Sequence, residues 1–365
     1  MPIRVLVLAP SLDLLGGQSI QATLLVERLR HEDAIDVSFL PLNPRLPGLF
    51  SALQRVKYLR TALTFGWFCA LLLARIPRHD VIHVFSASYL SFLLGPAPAL
   101  LMARLWRRKA LLNYHSGEAE DHLSNWPLAV RIARLADVIV VPSAYLVDVF
   151  HRHGLSAVAV PNAIETDRFR YRERFPLRPA FLGSRNLEPN YNVACVIRAF
   201  ALIQDTLPDA TLALAGEGSQ RRALEGLASD LQLRNVRFLG RVPPGAMPAL
   251  YDGADVFLNG SDVDNQPLSI LEAFACGLPV ITTDAGGIPS LVEHGVTGLV
   301  VPRGDAPAMA HSAAQLVVEP DLARSLARNA LDATQAYRWE QIRLKWLDVY
   351  EQLAAADTPK PGRVS

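Results

Sequence analysis

The chain has 365 residues, half of them hydrophobic and only 19% charged, with a formal net charge of +1 at pH 7. That length favours two domains, and the apolar content excludes a disordered or fibrous chain. Three widely separated cysteines (Cys69, Cys195, Cys276) exclude a paired metal-ligand spacing and suit reduced, mostly buried thiols in a reducing cytoplasm.

The small net charge conceals an asymmetry. Residues 37–117 hold ten Lys or Arg against a single acid, Asp80, so this segment carries +9 and the rest of the chain −8. A lobe of one sign attracts anionic partners or an anionic bilayer, unless its arginines are scattered around a helical surface without forming a patch.

Residues 3–9 read as a buried strand, too short and too soon followed by a glycine loop to be a secretory signal. After a loop over 10–17, residues 18–30 read as a helix with Ile20, Leu24, Leu25 and Leu29 inward. Gly16 and Gly17 let backbone approach an anion closely at that helix start, although a diglycine turn is also common in such folds. Residues 37–42 form the next strand, and 51–74 a long helix with Arg55, Lys57 and Arg60 ahead of Phe65, Trp67 and Phe68. Residues 81–103 carry no formal charge and are long enough to span a bilayer. His83, several serines, Gly95, Pro96 and Pro98 interrupt them, so a strand at 81–85 followed by a buried helix is expected. Aromatic and basic residues together suit association of this lobe with a membrane surface.

A strand at 110–114 leads into His115, with Gly117, Glu118, Glu120 and Asp121 close behind. Strands follow at 137–141 and 157–160, with a helix from Pro142–Ser143 through Phe150 between them. Pro161, Asn162 and the charged run 167–178 read as a linker. Strand–helix alternation then restarts, with strands at 181–182, 210–215, 236–239, 255–258 and 280–283 and a helix at 193–203. Two such runs imply an α/β protein of two doubly wound sheets. Residues 339–353 form an amphipathic helix with Ile342, Trp346, Leu347 and Tyr350 on one side, and 358–365 a polar, frayed tail.

The chemistry concentrates at 259–287. A strand enters a polar loop holding Asp262, Asp264, Asn265 and Gln266, and Pro267 falls in a first helical turn with Asp264 or Asn265 as N-cap. The helix buries Leu268, Leu271, Phe274 and Ala275, stops at Cys276–Gly277, and gives way to a strand and the turn Gly286–Gly287. A helix start favours phosphate, and the Asp264 and Glu272 carboxylates suit vicinal hydroxyls. Together they describe a sugar-nucleotide site, against the alternative of a capped core helix with two solvated acids. Arg185, just past the strand at 181–182, carries a guanidinium able to grip phosphate oxygens bidentately.

These residues resemble a known family. Asp264-x7-Glu272, EAFACGLPVI, TDAGGIPSLV, GVTGLVVP, GSRNLEP at 183–189, LALAGEGS at 212–219, VRFLGRV at 236–242 and the pair Gly16–Gly17 resemble the family-4 retaining glycosyltransferases of GT-B fold, over about half the chain. The resemblance implies two Rossmann-like domains facing across a cleft: 1–165 for the acceptor, a linker at 166–178, and 179–338 for the nucleotide sugar. A helix at 339–354 would cross back to the first domain, ahead of a flexible tail at 355–365. It implies that His115 lies near the reacting sugar, that Arg185 and Asp264 act in catalysis, and that Glu272 holds the ribose diol. Donor contacts are implied for Gly16, Gly17, Gly183, Arg185, Gly216, Gly218, Val242, Asp264, Asn265, Gln266, Pro267, Leu268 and Glu272. Two departures stand out: the lysine usual six residues after the arginine is Tyr191 here, and the first acid of the pair is Asp264 where glutamate is usual.

Asp262–Val263–Asp264 spells a D-x-D metal pattern, but a three-residue match within a metal-independent family argues for no metal. No cofactor is expected beyond the donor, a UDP-, GDP- or similar nucleotide sugar. The expected acceptor is a saccharide or lipid-linked glycan of cell-surface polysaccharide or glycolipid synthesis, handled in the cytoplasm or on the inner membrane face, with no nucleic-acid partner. A catalytically weak nucleotide-sugar- or glycan-binding subunit and a nucleotide-sugar epimerase are the competing readings.

Overall fold

A computed structural model describes residues 2–11, 16–46 and 57–355, with residues 57–59 described by backbone alone. Part of the predicted loop at 10–17, the start of the helix predicted at 51–74 with Arg55 and the Lys57 side chain, and the tail at 358–365 lie outside the described residues. The chain divides into two compact units, Met1–Pro161 with Arg343–Ser365, and Asn162–Ile342.

The first unit is built on six parallel strands: β1 (Ile3–Ala9), β2 (Ile35–Pro41), β3 (Val81–Ser86), β4 (Lys109–Tyr114), β5 (Val138–Val141) and β6 (Val158–Ala159). Their order is β2-β1-β3-β4-β5-β6, with Val5 of β1 in register with Val37 on one side and Val81 on the other. Val5 to Ala9 are fully buried, as a strand covered on both faces requires. The order reverses between β1 and β3, and the helix Gly17–Leu29 starts at that switch point, where open α/β sheets receive ligands.

The apolar stretch after β3 corrects an expectation. It is two helices, Tyr89–Leu94 and Pro96–Leu105, broken at Gly95, whose added Cβ would lie 3.3 Å from the Leu42 side chain. Pro96 cannot donate to a continuing helix, so the break falls where the sequence removes a hydrogen bond. The second helix is not buried throughout: Leu101 and Leu105 are exposed. No helix among the described residues is long and apolar enough to cross a membrane.

The terminal helix runs Trp339–Ala355. Its residues from Arg343 onward belong to the first unit. Trp346 and Tyr350 lie over His83 of β3, with the Tyr350 hydroxyl 2.7 Å from His83 Nδ1, and Arg343 Nη2 donates to Glu32 Oε2 at 2.6 Å. Asn113 Nδ2 is 3.0 Å from the other nitrogen of His83, so this fully buried imidazole is satisfied at both ends.

The second unit has β7 (Ala180–Ser184), β8 (Thr211–Ala215), β9 (Val236–Gly240), β10 (Val256–Asn259), β11 (Val280–Thr283) and β12 (Leu299–Val301), all parallel. The order β12-β11-β10-β7-β8-β9 is that of two mononucleotide-binding halves meeting between β7 and β10. Alternate strand residues face opposite ways. Phe181, Leu212, Leu258 and Ile281 pack with Val196, Ile197 and Phe200 of the helix Val193–Thr206. Leu182, Phe257 and Val280 pack with Ile270, Leu271 and Phe274 of the helix Leu268–Cys276. Each strand of the pair at the switch point is thus clamped on both faces, which fixes where the loops beyond Ser184 and Asn259 start.

The run predicted as a linker is tightly bound to this unit. The Asp255 carboxylate, just ahead of β10, is almost fully buried and accepts from Arg172 Nη2 at 2.9 Å and from Arg178 Nη2 at 2.7 Å. Between them Arg174, also buried, donates to the carbonyls of Ala254, Cys276, Tyr251 and Arg172.

Candidate functional site

In the second unit, β7 ends at Ser184 and delivers Arg185, while β10 ends at Asn259 and delivers the loop bearing Asp264. Arg185 Nη2 donates to Asp264 Oδ2, an ion pair that bridges the two strands where the sheet order reverses. Both side chains are largely enclosed, at 15% and 10% exposure, so water screens the pair weakly. Ser261 Oγ lies 3.1 Å from the same Asp264 oxygen and 2.9 Å from Asn259 Oδ1, so its single proton serves one of two acceptors at a time. Asn259 Nδ2 in turn donates to Thr282 Oγ1 at 3.0 Å, and Thr283 Oγ1 donates to the Ser261 carbonyl. This chain of buried hydroxyls and amides ties the loop to the ends of β10 and β11.

The capping expectation is corrected here. The helix starts at Leu268, with Pro267 extended at φ −68°, ψ 119° as its cap, and no side chain caps it. Asp264 and Asn265 are not N-caps. Asp264 Oδ1 accepts from the amide of Asn265 at 2.9 Å and its other oxygen is taken by Arg185 and Ser261, so electrostatics has overridden the capping preference. Gln266 Oε1 accepts from the amide of Asn162 at 2.6 Å, and the Gln266 carbonyl from Asn162 Nδ2 at 3.2 Å. Leu268 is half-buried at the first position of the helix.

Four residues further, Glu272 accepts from the Tyr251 hydroxyl at 2.7 Å. It is only partly enclosed, yet burial pushes its carboxyl up to about 7, against the opposing pull of the Tyr251 hydrogen bond and of Arg168 and Arg185. A carboxyl poised there can accept hydroxyls once ionised. Tyr251 is fully buried and lies 21 residues before Glu272, and no spacing rule singles it out.

The two carboxylates of the D-x-D run do not share a partner. Asp262 accepts from Asn192 Nδ2 at 3.1 Å, and Asp264 holds Arg185. Among the described residues no group of three or more His, Cys, Asp or Glu is placed to hold a metal ion.

The glycines divide into two kinds. A Cβ on Gly216 would lie 1.9 Å from the Arg185 carbonyl oxygen, one on Gly218 2.3 Å from that of Leu187, and one on Gly183 2.9 Å from the Leu214 side chain. Gly216 also has φ +144°, which L side chains avoid. Protein packing alone therefore explains these three. Gly16 and Gly17 have nothing within 4 Å of an added Cβ among the described residues and no positive φ, so no contact within the described fold calls for glycine there. Gln18, next to them, donates to the Ser86 carbonyl at 3.0 Å across the first sheet's switch point. Val242, half-buried, lies two residues past the end of β9.

His115 follows β4 in the first unit, its ring stacked on Phe85 at 5.1 Å. Burial pushes its imidazole down to about 4, so it is neutral at pH 7, and its buried Nε2 has no partner among the described residues. Of the residues singled out from sequence, the structure brings together Arg185, Asp264, Asn265, Pro267, Leu268 and Glu272 around one helix start. Gly16, Gly17 and His115 belong to the other unit.

Residues 167–332 match the family Glycosyl transferases group 1, and residues 15–168 match Glycosyltransferase Family 4. A GDP-mannose-dependent alpha-(1-6)-phosphatidylinositol monomannoside mannosyltransferase of Mycolicibacterium smegmatis is 33% identical over 277 residues, covering 69% of this chain and 71% of the relative. Among solved structures, sucrose-phosphate synthase from Thermosynechococcus elongatus superposes with a TM-score of 0.82 at 22% identity, covering 97% of this chain and 100% of that one. Anabaena HepE in complex with UDP-glucose gives 0.77 at 20% identity, covering 96% and 100%. The two doubly wound sheets, the ordered motifs and these matches place the chain in the family-4 glycosyltransferases, with the GT-B fold.

Proposed function

We propose that this glycosyltransferase transfers a sugar, with retention and without a metal, from a nucleotide diphosphate donor held at the β7–β10 switch point to a lipid-linked or saccharide acceptor. The observation that carries this reading is the Arg185–Asp264 pair at the start of the Leu268–Cys276 helix, with Glu272 one turn further on. As the donor's leaving group departs, charge builds on the β-phosphate oxygen, and a fixed guanidinium and free helix N–H groups are suited to stabilise it. In this reading Asp264 contacts the sugar, Glu272 accepts the ribose hydroxyls, and the open Gly16–Gly17 backbone approaches the diphosphate. The same reading gives His115, neutral at pH 7, a role near the reacting sugar. The departing phosphate takes the acceptor proton in a same-face displacement.

The relative's name supports GDP-mannose as the first donor to try and a glycolipid as acceptor. An anionic membrane surface is the proposed platform. Arg104, Leu105, Trp106 and Arg107 are four consecutive exposed residues at the end of one helix, and Leu101 lies one turn before them.

The test is transfer from GDP-mannose and UDP-glucose to lipid extracts and saccharide acceptors, with the anomeric configuration of the product read by NMR and with chelator present. Arg185→Ala and Glu272→Ala are each expected to lower transfer by about 10²-fold while leaving circular dichroism unchanged. Wild-type turnover in either variant, or an inverted product, contradicts the reading.

A further inference from the structure

Arg185 is the only Lys or Arg in residues 185–192, so the placement of one guanidinium decides what this loop offers an anion. Two groups hold it. The Asp264 carboxylate takes Nη2, and the ring of Tyr191 lies under the guanidinium plane, with Cζ 4.1 Å from the ring centroid. The two jaws are not independent. Asn190, beside Tyr191, accepts from the amides of Asp262 at 2.9 Å and Val263 at 3.1 Å, and Asn192 Nδ2 donates to Asp262 Oδ1 at 3.1 Å. Three hydrogen bonds therefore stitch the Tyr191 turn to the Asp264 loop.

The turn itself is stiff. Pro189–Tyr191 is a single 3-10 turn, and Asn192 adopts φ +37° while its side chain accepts from the amide of Cys195 and caps the next helix. Tyr191 also lines, with Arg185, Gly183, Leu214 and Leu258, a crevice at the ends of β7, β8 and β10. Arg185 Nε is buried with no acceptor among the described residues, so the clamp leaves donor capacity unused.

We propose that Tyr191 is a positioning residue that fixes the Arg185 guanidinium, through its ring face, in the orientation that receives the donor diphosphate. The inference rests on the proposed donor site. A cation over an aromatic face in a partly desolvated site gains enough to hold a rotamer, and Phe supplies the same face where Leu does not. The ring, not the hydroxyl, is what the geometry uses.

The experiment measures GDP affinity by calorimetry, and KM and kcat for GDP-mannose, in wild type, Tyr191→Phe, Tyr191→Leu, Arg185→Ala and the double variant Arg185→Ala/Tyr191→Leu. Phe is expected to stay within about twofold of wild type, and Leu to weaken GDP binding about tenfold. In the Arg185→Ala background, Leu should add nothing further, which a merely structural role for Tyr191 would not produce. Leu binding like wild type, Phe losing as much as Leu, or Leu costing the same with and without Arg185 would each overturn the inference while leaving the donor site standing. If wild type binds and turns over none of a panel of GDP-, UDP- and ADP-sugars, the donor site and the inference fall together.

Discussion

Glu272 titrates where the proposed enzyme works, and that gives its role a pH signature. Its carboxyl is raised from 4.5 to about 7 because burial disfavours the charge. Below that value it is protonated and loses an acceptor for the ribose hydroxyls, so nucleotide affinity should rise from pH 6 to pH 8 and then level. Glu272→Gln should flatten the profile. Tyr251→Phe should move it upward in pH, because the Tyr251 hydroxyl supports the ionised form. Stability runs the opposite way. The native state binds a proton between 4.5 and about 7 that the unfolded chain has released, so this group's contribution is fullest at low pH, declines through that window, and is flat above it. Calorimetric titrations of GDP across pH, and urea midpoints for wild type and Glu272→Gln, check both limbs. A pH-independent affinity in wild type would remove Glu272 from the site.

The segment between the two sheets is held to the base of β10 by three arginines around one carboxylate, and this is where an element's stability hangs on a single residue. Burial alone would raise the pKa of Asp255, but hydrogen bonds from Arg178 and Arg172 hold it below the ordinary carboxylate value. Its stabilisation is therefore present above about pH 4 and is lost as pH falls through the depressed folded value. Asp255→Asn leaves the buried Arg174 facing only carbonyls and should cost about 3–5 kcal/mol, read as a drop in the urea midpoint at pH 7 that shrinks toward pH 3. An unchanged midpoint would mean the arginines repartner freely.

This lock is invisible in the sequence, where the same arginines read as part of a linker, because the partner carboxylate lies about 80 residues away. The strands were legible for the opposite reason: apolar runs at 3–9, 110–114 and 280–283 bounded by Gly, Pro and polar residues carry their own signal. β12 has only three residues and escaped it. Spacing singles out the loop bearing Asp264 but not its cap, since Asp264 pairs with Arg185 from another strand. Tyr191 read only as a missing lysine. Its stacking on Arg185 depends on a turn whose shape no local pattern announces.

Charge at the level of the whole molecule separates the two ends of the proposed reaction. Residues 37–117 carry +9 against −8 for the remainder, so a near-neutral chain presents a field on one unit. Several of these cations are engaged: Arg108 donates to the Pro77 carbonyl at 2.5 Å, and Lys109 is 3.7 Å from Asp137. Arg104 and Arg107 are exposed on either side of Leu105, at 73% exposure, and Trp106, at 45%. Folding alone gives no reason to leave Leu and Trp in water between two cations, but an anionic bilayer accepts both, the rings at the headgroup level and the charges among lipid phosphates. The chain should therefore co-sediment with vesicles containing phosphatidylglycerol and not with pure phosphatidylcholine. Binding should fall as salt rises from 0.1 M toward 1 M, where the screening length shrinks from about 10 Å to about 3 Å. Trp106→Ser with Leu105→Ser should weaken the salt-resistant part, and Arg104→Gln with Arg107→Gln the salt-sensitive part. Neither pair should change GDP affinity, because none of these four residues is among those assigned to donor binding in the proposed reading. Binding indifferent to both salt and lipid charge would discard the bilayer as the acceptor platform and leave the donor chemistry untouched.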